Sequence, residues 1–190
     1  MVTKMSKFLP CLSLACALAL VGVGGCDSPE GSASPSDGAG SGGAVHADLG
    51  ITMLNLDDED VSLISKTADD VHILAFWATW CVPCVGELAK MEPMYGRLKD
   101  RGLNIYAVSI DGPDTISRVP GFAAGEGWSF EVTYDPETEL LARYNPKGDI
   151  PFYVVLDADG NNIKSHQGYV KGDVAKLEQF LDEKLPPAAE

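Results

Sequence analysis

Two cysteines three residues apart, Cys81 and Cys84, are the residues of this chain best suited to do chemistry. They sit in Trp80-Cys81-Val82-Pro83-Cys84, after the apolar run Ile73-Leu74-Ala75-Phe76-Trp77-Ala78. In the stretch that follows, Val85, Leu88, Met91, Tyr95 and Leu98 recur at three- and four-residue steps. The run predicts a buried strand and the steps predict a helix. A thiol at the helix N-terminus meets unpaired N–H groups and the positive end of the helix dipole, both of which favour the thiolate. A second thiol one turn on can close a small disulfide ring. The pair therefore suits thiol–disulfide exchange, with Cys81 attacking a partner's disulfide and Cys84 resolving the mixed disulfide.

Other uses of the pair fit less well. A zinc site needs two further ligands, and the chain after residue 47 offers no third cysteine and only His72 and His166. A ring this small does little as a staple, because stabilisation grows with loop length. Val85 after Cys84 departs from the haem-attachment pattern CxxCH. No metal and no cofactor is expected.

Glu87 stands three residues past Cys84, so on a helix it shares a face with Cys84, Leu88 and Met91. If that face looks inward, a half-buried carboxyl has a raised pKa and can trade protons with Cys84. If it looks outward, Glu87 is an acid favoured by the helix N-terminus. Spacing alone leaves both open. Pro151 follows Gly148-Asp149-Ile150 and opens the apolar run Phe152–Leu156, and sequence alone favours a trans bond there. Trp80 is either a wall beside Cys81 or a core aromatic.

The stretch Phe76-Trp77-Ala78-Thr79-Trp80-Cys81-Val82-Pro83-Cys84 resembles the active-site signature of the thioredoxin superfamily. More narrowly it resembles the TlpA/ResA-like branch, membrane-tethered thiol–disulfide oxidoreductases of bacteria. The resemblance covers roughly Ile51 to Leu185. It implies an α/β, thioredoxin-like fold, a central mixed β-sheet flanked by helices on both faces. It also implies a functional glutamate at Glu87 and a cis proline at Pro151 facing the dithiol. Ile150 would offer backbone hydrogen bonds to an extended substrate segment, with Trp80 walling the groove. Thioredoxin proper has a buried Asp at the position of Ala75, which cannot ionise, and this adds weight to Glu87. One departure stands out: the family's proline five residues past the second Cys is replaced by Ala89, and the nearest proline is Pro93.

Relatives of this kind keep the cysteines of apocytochrome c or of copper centres reduced. The expected partners are therefore proteins with disulfides, a membrane dithiol as electron donor, and the membrane itself. A nicotinamide donor is not expected, since the chain shows no Gly-rich dinucleotide fingerprint. A peroxiredoxin-like peroxidase would show Thr three residues before the reactive Cys, where this chain has Ala78. A Sco-like copper chaperone would need CxxxC spacing and a suitably placed His. Here the spacing is CxxC, and His166 is the one downstream candidate.

The remaining elements must position these groups. Ile51–Ile64 reads as two short strands around the acidic turn Asp57–Asp60, which is read as solvated. Ser65–Asp70 reads as a polar loop or short helix, with a structural His72 at the start of the central strand, Val71–Ala78. Leu103–Ile110 reads as a second core strand, parallel to the first through the helix crossover. Residues 111–127 connect, with a helix broken or begun at Pro120-Gly121. Phe130–Tyr134 predicts a strand and Glu137–Tyr144 a short helix. A hairpin runs from Phe152–Leu156 through the turn at Asp157–Gly160 into Ile163–Gly168. Asp173 is expected to cap a last helix with Val174, Leu177, Leu181 and Leu185 on its apolar face.

The chain has 190 residues, enough for one ordinary domain plus extras. Residues 1–25 have a basic start at Lys4 and Lys7 and an apolar run from Phe8 to Val23, a secretory signal in outline. An uncleaved anchor is the rival reading. Val23-Gly24-Gly25-Cys26 resembles the bacterial lipobox, which makes Cys26 the expected lipidation site. Residues 26–47, rich in Gly, Ser, Ala and Pro, read as a flexible tether with His46 solvated and a reach of roughly 25 Å. The thioredoxin-like domain is then 48–190. Without Lys4 and Lys7 the balance is 12 basic against 28 acidic residues, or −16. That argues against nucleic acid and against a basic membrane-docking patch. The expected location is the periplasmic side of the cell envelope, as a membrane-anchored lipoprotein.

Overall fold

The structure, a computed structural model, describes residues 47–188. The expected signal segment 1–25, the expected lipidation site Cys26, His46 and nearly all of the expected tether lie outside the described residues. In chain order the strands are β1 (Ala47–Asn55), β2 (Asp60–Ser65), β3 (Val71–Trp77), β4 (Leu103–Ser109), β5 (Glu131–Tyr134), β6 (Phe152–Leu156) and β7 (Asn162–Gln167). The α-helices are α1 (Val82–Leu98), α2 (Val119–Glu126), α3 (Glu139–Tyr144) and α4 (Asp173–Asp182). β1 begins at Ala47, the last residue of the expected tether.

Among the described residues the strands form a seven-stranded sheet in the order β2-β1-β5-β4-β3-β6-β7. β3 is central and buried along its whole length, which is why its sequence is continuously apolar. It runs parallel to β4 and antiparallel to β6, and β4 runs parallel to β5. Successive side chains of β3 look to opposite faces. Val71, Ile73, Ala75 and Trp77 pack with Leu88, Met91, Met94 and Leu98 of α1 and with Val174, Leu177 and Leu181 of α4. Leu74 and Phe76 pack with Ile51, Met53, Leu63, Val108 and Leu141 of α3. Helices thus cover both faces of a mixed sheet, the thioredoxin-like arrangement.

α1 fixes the site. Pro83 lies in its first turn, where a missing N–H costs nothing. Its inward face is Cys84, Glu87, Leu88, Met91, Met94 and Leu98. Met94 takes the place expected of Tyr95, which is only half-buried and meets the Phe130 ring edge-on at 6.0 Å. Burying Leu88, Met91 and Met94 contributes roughly 2 kcal/mol each. The helix passes through Ala89 and Pro93 without interruption, although Pro93 has no N–H for the Ala89 carbonyl. After a 3-10 turn at Lys99–Arg101, Gly102 reverses the chain at φ 100°, and a Cβ there would stand 3.1 Å from Asp70 Oδ1. Arg101 ties α1 to the far end of α4 by donating to the Pro186 carbonyl at 2.7 Å and to Asp182.

Other expectations need correction or detail. Asp173 does not cap α4: it is the first helical residue, after Gly172, and its Oδ2 accepts the Val170 N–H at 2.8 Å. Residues 66–69 form turns rather than a helix, gathered by the Asp70 carboxylate. The acidic turn is exposed and is organised by the Asn55 side chain, which accepts the Asp57 and Glu59 N–H groups. α3 starts where the Asp135 carboxylate accepts the Leu140 and Leu141 N–H groups. His72 is fully buried, and burial lowers its pKa against the opposing pull of Asp70. The Ser65 hydroxyl donates to the Ala158 carbonyl and therefore accepts from His72 Nε2, so the neutral ring is protonated there.

Candidate active site

Cys81 and Cys84 are joined as a disulfide, with Cα atoms 5.3 Å apart. Both are buried, Cys81 at 5% and Cys84 at 1% exposure, so Cys81 is the more accessible residue of the two. Cys81 is the N-cap residue of α1, with no side-chain cap and no acid in the first turn. Its sulfur therefore lies where the helix's open N–H groups begin.

Glu87 looks inward. It is 2% exposed, and its Oε1 makes no hydrogen bond among the described residues. Burial, and then the negative charge of Asp173, push its pKa up to about 8. The Tyr153 phenol occupies the same interior, opposite Ala75 in the β3–β6 register. Its pKa is raised by burial and then by Glu87 and Asp173. The His166 ring packs on Tyr153 at 5.4 Å, and its Nε2 lies 3.1 Å from Asp173 Oδ2. Asp173 is held below the usual carboxylate range by the Val170 N–H, against burial, with His166 helping. His166, named earlier as the one candidate copper ligand, is thus engaged by a carboxylate. Among the described residues no group of three or more His, Cys, Asp or Glu could hold a metal ion.

The Ile150–Pro151 peptide is cis. Sequence reasoning missed what holds its loop. Asn145 donates to the Asp149 carbonyl and to Gln167 Oε1, both at 2.9 Å. Gln167 in turn donates to the carbonyls of Asp149 and Pro151 at 3.2 and 3.0 Å. Ile150's own N–H and C=O take no part in these bonds. Trp80 is not a core aromatic: it is 60% exposed, and Val82 and Val170 are exposed as well, at 80% and 63%. Tyr169 seats its ring 3.7 Å from where a Gly86 Cβ would stand, which brings the 168–172 loop onto the start of α1. Ala78 is fully buried and supplies no hydroxyl three residues before Cys81.

The site joins a helix-terminal disulfide, a desolvated carboxyl one turn past Cys84, an exposed Trp80 just before Cys81 and a cis-proline loop whose Ile150 packs on the core that holds both cysteines. The comparisons point the same way. Residues 46–166 match the AhpC/TSA family. The thiol-disulfide oxidoreductase ResA of Halalkalibacterium halodurans is 29% identical over 141 residues, 74% of this chain and 76% of that protein. The protein of the same name from Oceanobacillus iheyensis is 32% identical over 129 residues, 68% of this chain and 65% of that protein. A solved structure from Chlorobium tepidum, described as a candidate thiol:disulfide interchange protein DsbE, is similar with TM-score 0.61 at 25% identity, covering 76% of this chain and 97% of that one.

Proposed function

Since this chain belongs to the AhpC/TSA family, is a TlpA/ResA-like member of the thioredoxin superfamily and is a thiol–disulfide oxidoreductase, we propose that it reduces protein disulfides in the cell envelope. The observation that supports this best is the disulfide at the start of α1 backed by Glu87, a carboxyl with pKa about 8.

In the reducing direction the Cys81 thiolate attacks one sulfur of the partner's disulfide. A mixed disulfide forms, and the partner's other sulfur leaves as a thiolate and takes a proton. Cys84 gives its proton to the Glu87 carboxylate and attacks Cys81 Sγ. The mixed bond breaks, and the second partner thiolate is protonated. Two electrons and two protons pass to the partner, and the Cys81–Cys84 bond is restored. A dithiol donor then recharges the pair by attacking Cys81. Cys84 leaves as a thiolate and takes the proton of neutral Glu87. The donor's second thiolate then attacks the donor sulfur bound to Cys81, closing the donor's own disulfide and releasing the Cys81 thiolate. A carboxyl titrating near neutrality suits both half-reactions.

Trp80 and the cis Ile150–Pro151 loop bind the partner's extended segment, with Ile150 pairing by its backbone. Fitting partners are apocytochrome c or proteins with copper-site cysteines, and the donor is a membrane dithiol. Lipid on Cys26 and the tether of residues 27–46 keep the domain near that donor. Capture in cells tests the roles. Cys84→Ser should accumulate mixed disulfides through Cys81, and Cys81→Ser should accumulate none. Capture by Cys81→Ser instead would reverse the two thiols. A wild-type protein without lipid at Cys26 would remove the tether from the account.

A further inference from the structure

Asp111 follows β4, two residues past Ser109, and is fully buried. The Thr79 N–H donates to its Oδ2 at 2.8 Å and the Thr79 hydroxyl to its Oδ1 at 2.6 Å. The Ser109 hydroxyl donates to Oδ2 at 3.0 Å, and Asp111's own N–H donates to Ser109 Oγ at 3.1 Å. Burial pushes the Asp111 pKa upward, but hydrogen bonds led by those from Thr79 outweigh it and hold the group below the ordinary carboxylate value. Asp111 makes no salt bridge among the described residues, where the ion pairs belong to Glu178, Asp182 and Asp173. It is an ionised carboxylate neutralised by dipoles alone.

Its grip falls on the segment that presents the reactive thiol. Thr79 and Trp80 are the middle of a tight turn, closed by the Cys81 N–H donating to the Ala78 carbonyl at 2.9 Å. The end of β3 is tied to the same strand end, since the Ile110 N–H donates to the Trp77 carbonyl at 2.9 Å. The ionisable group from the neighbouring strand is the Tyr134 phenol of β5, raised by burial, Asp58 and Asp111. On the α1 side the ionisable groups are Glu87 and, behind it, Tyr153, Asp173 and His166.

We propose that Asp111 is a positioning residue of the dithiol: it fixes the turn that carries Trp80 and Cys81, and its unpaired charge disfavours the Cys81 thiolate, making the pair a stronger reductant. This rests on Cys81 being the attacking thiol of the reducing pair. The couple is one disulfide plus two electrons and two protons against two thiols. The disulfide carries no charge, so a nearby carboxylate acts only on the ionised reduced form and raises its free energy. Oxidants of this class owe their high potential to a stabilised reduced form, and Asp111 works in the opposite sense.

Asp111→Asn keeps the size and an acceptor for the Thr79 N–H but removes the charge. Two readouts are taken on the purified full-length protein: the pH dependence of Cys81 alkylation in the reduced protein, and equilibration with glutathione. The Cys81 pKa should fall by about one unit, giving about tenfold more thiolate at a pH below it. At a pH above the Cys81 pKa of both proteins, where the reduced form is the thiolate, the midpoint should rise by about 30 mV, the value of a tenfold change in this two-electron equilibrium. Because the shift is read relative to the wild type, it stands whether or not the wild-type midpoint is that of a reductase. An unchanged Cys81 pKa in folded Asp111→Asn overturns the proposal. Thr79→Val keeps the charge and removes the hydroxyl. It should lower kcat/KM for a disulfide peptide about tenfold without lowering the Cys81 pKa. If Asp111→Asn does not fold, an unchanged kcat/KM in Thr79→Val overturns the positioning role. An equal fall of the Cys81 pKa in Thr79→Val overturns the charge effect.

Discussion

Two buried carboxyl groups flank the dithiol, and they behave in opposite ways. Glu87, behind Cys84, is 2% exposed, and its Oε1 has no partner among the described residues. Asp111, beneath the turn that carries Cys81, is 0% exposed and accepts three hydrogen bonds from Thr79 and Ser109. Burial pushes both upward, yet Glu87 rises to about 8 while Asp111 falls below the ordinary range. The supply of donors, not burial, decides which acid keeps its proton. On one side of the disulfide stands a group that can give and take a proton, and on the other a fixed charge.

The largest expected effect comes from emptying the donor-rich side. Asp111→Ala would leave the Thr79 N–H and the two hydroxyls facing an apolar methyl, and should destabilise the domain by about 3 kcal/mol. Glu87→Leu removes an acid that lacks donors and should leave stability within about 1 kcal/mol of the wild type. Denaturant midpoints at unchanged slope measure both. A larger loss from Glu87→Leu than from Asp111→Ala would break the contrast.

Next comes the rate. Glu87→Gln cannot exchange a proton with Cys84, so the exchange rate should fall about 10²-fold near pH 7, and the step titrating near pH 8 should vanish from the pH–rate profile. A retained profile would leave Glu87 as a buried acid with no part in the chemistry.

The gentlest test is the pH dependence of stability, where the two acids should tilt in opposite directions. Glu87 binds its proton more tightly folded than unfolded. Between its ordinary 4.5 and about 8, stability should fall as pH rises, by up to about 1.4 kcal/mol per pH unit. Asp111 binds its proton less tightly folded, so its contribution is present above the ordinary value of 3.8 and is lost as pH falls through its lower folded value. Glu87→Gln should flatten the first slope and spare the second. Loss of both slopes together would mean that the groups are coupled.

Glu87 was legible in the sequence and Asp111 was not, for a physical reason. A one-turn offset from Cys84 on a periodic helix puts Glu87 on the face of Cys84, Leu88 and Met91, a local rule that names the candidate. The family resemblance favours its functional reading, and the structure shows that the face looks inward. Asp111 meets Thr79 across 32 residues, through the parallel pairing of β3 with β4. Local spacing carries no sign of that contact beyond a Ser-x-Asp at the end of an apolar strand. The same holds for Asn145 and Gln167, which brace the cis-proline loop across 22 residues. α1 and α4 were readable because each buries a periodic face, and β3 and β6 because each is an unbroken apolar run. Asp173 was misread because a carboxylate just before an apolar stretch looks like a cap, whereas Gly172, at φ 102°, takes that position. Pro93 alone does not tell whether α1 kinks, and only the structure shows the helix continuing through it.

The direction of electron flow is the central claim, and one equilibrium tests it. The domain is equilibrated with glutathione buffers of graded ratio at pH 7, and the fraction of Cys81–Cys84 disulfide is read by alkylation and mass. Helix-terminal Cys81 with uncharged Val82 and Pro83 beside it, and with the Asp111 charge behind its turn, should give a midpoint near about −270 mV, at the reducing end of the thioredoxin fold. A midpoint above about −180 mV would make the protein an oxidase or isomerase and contradict the account.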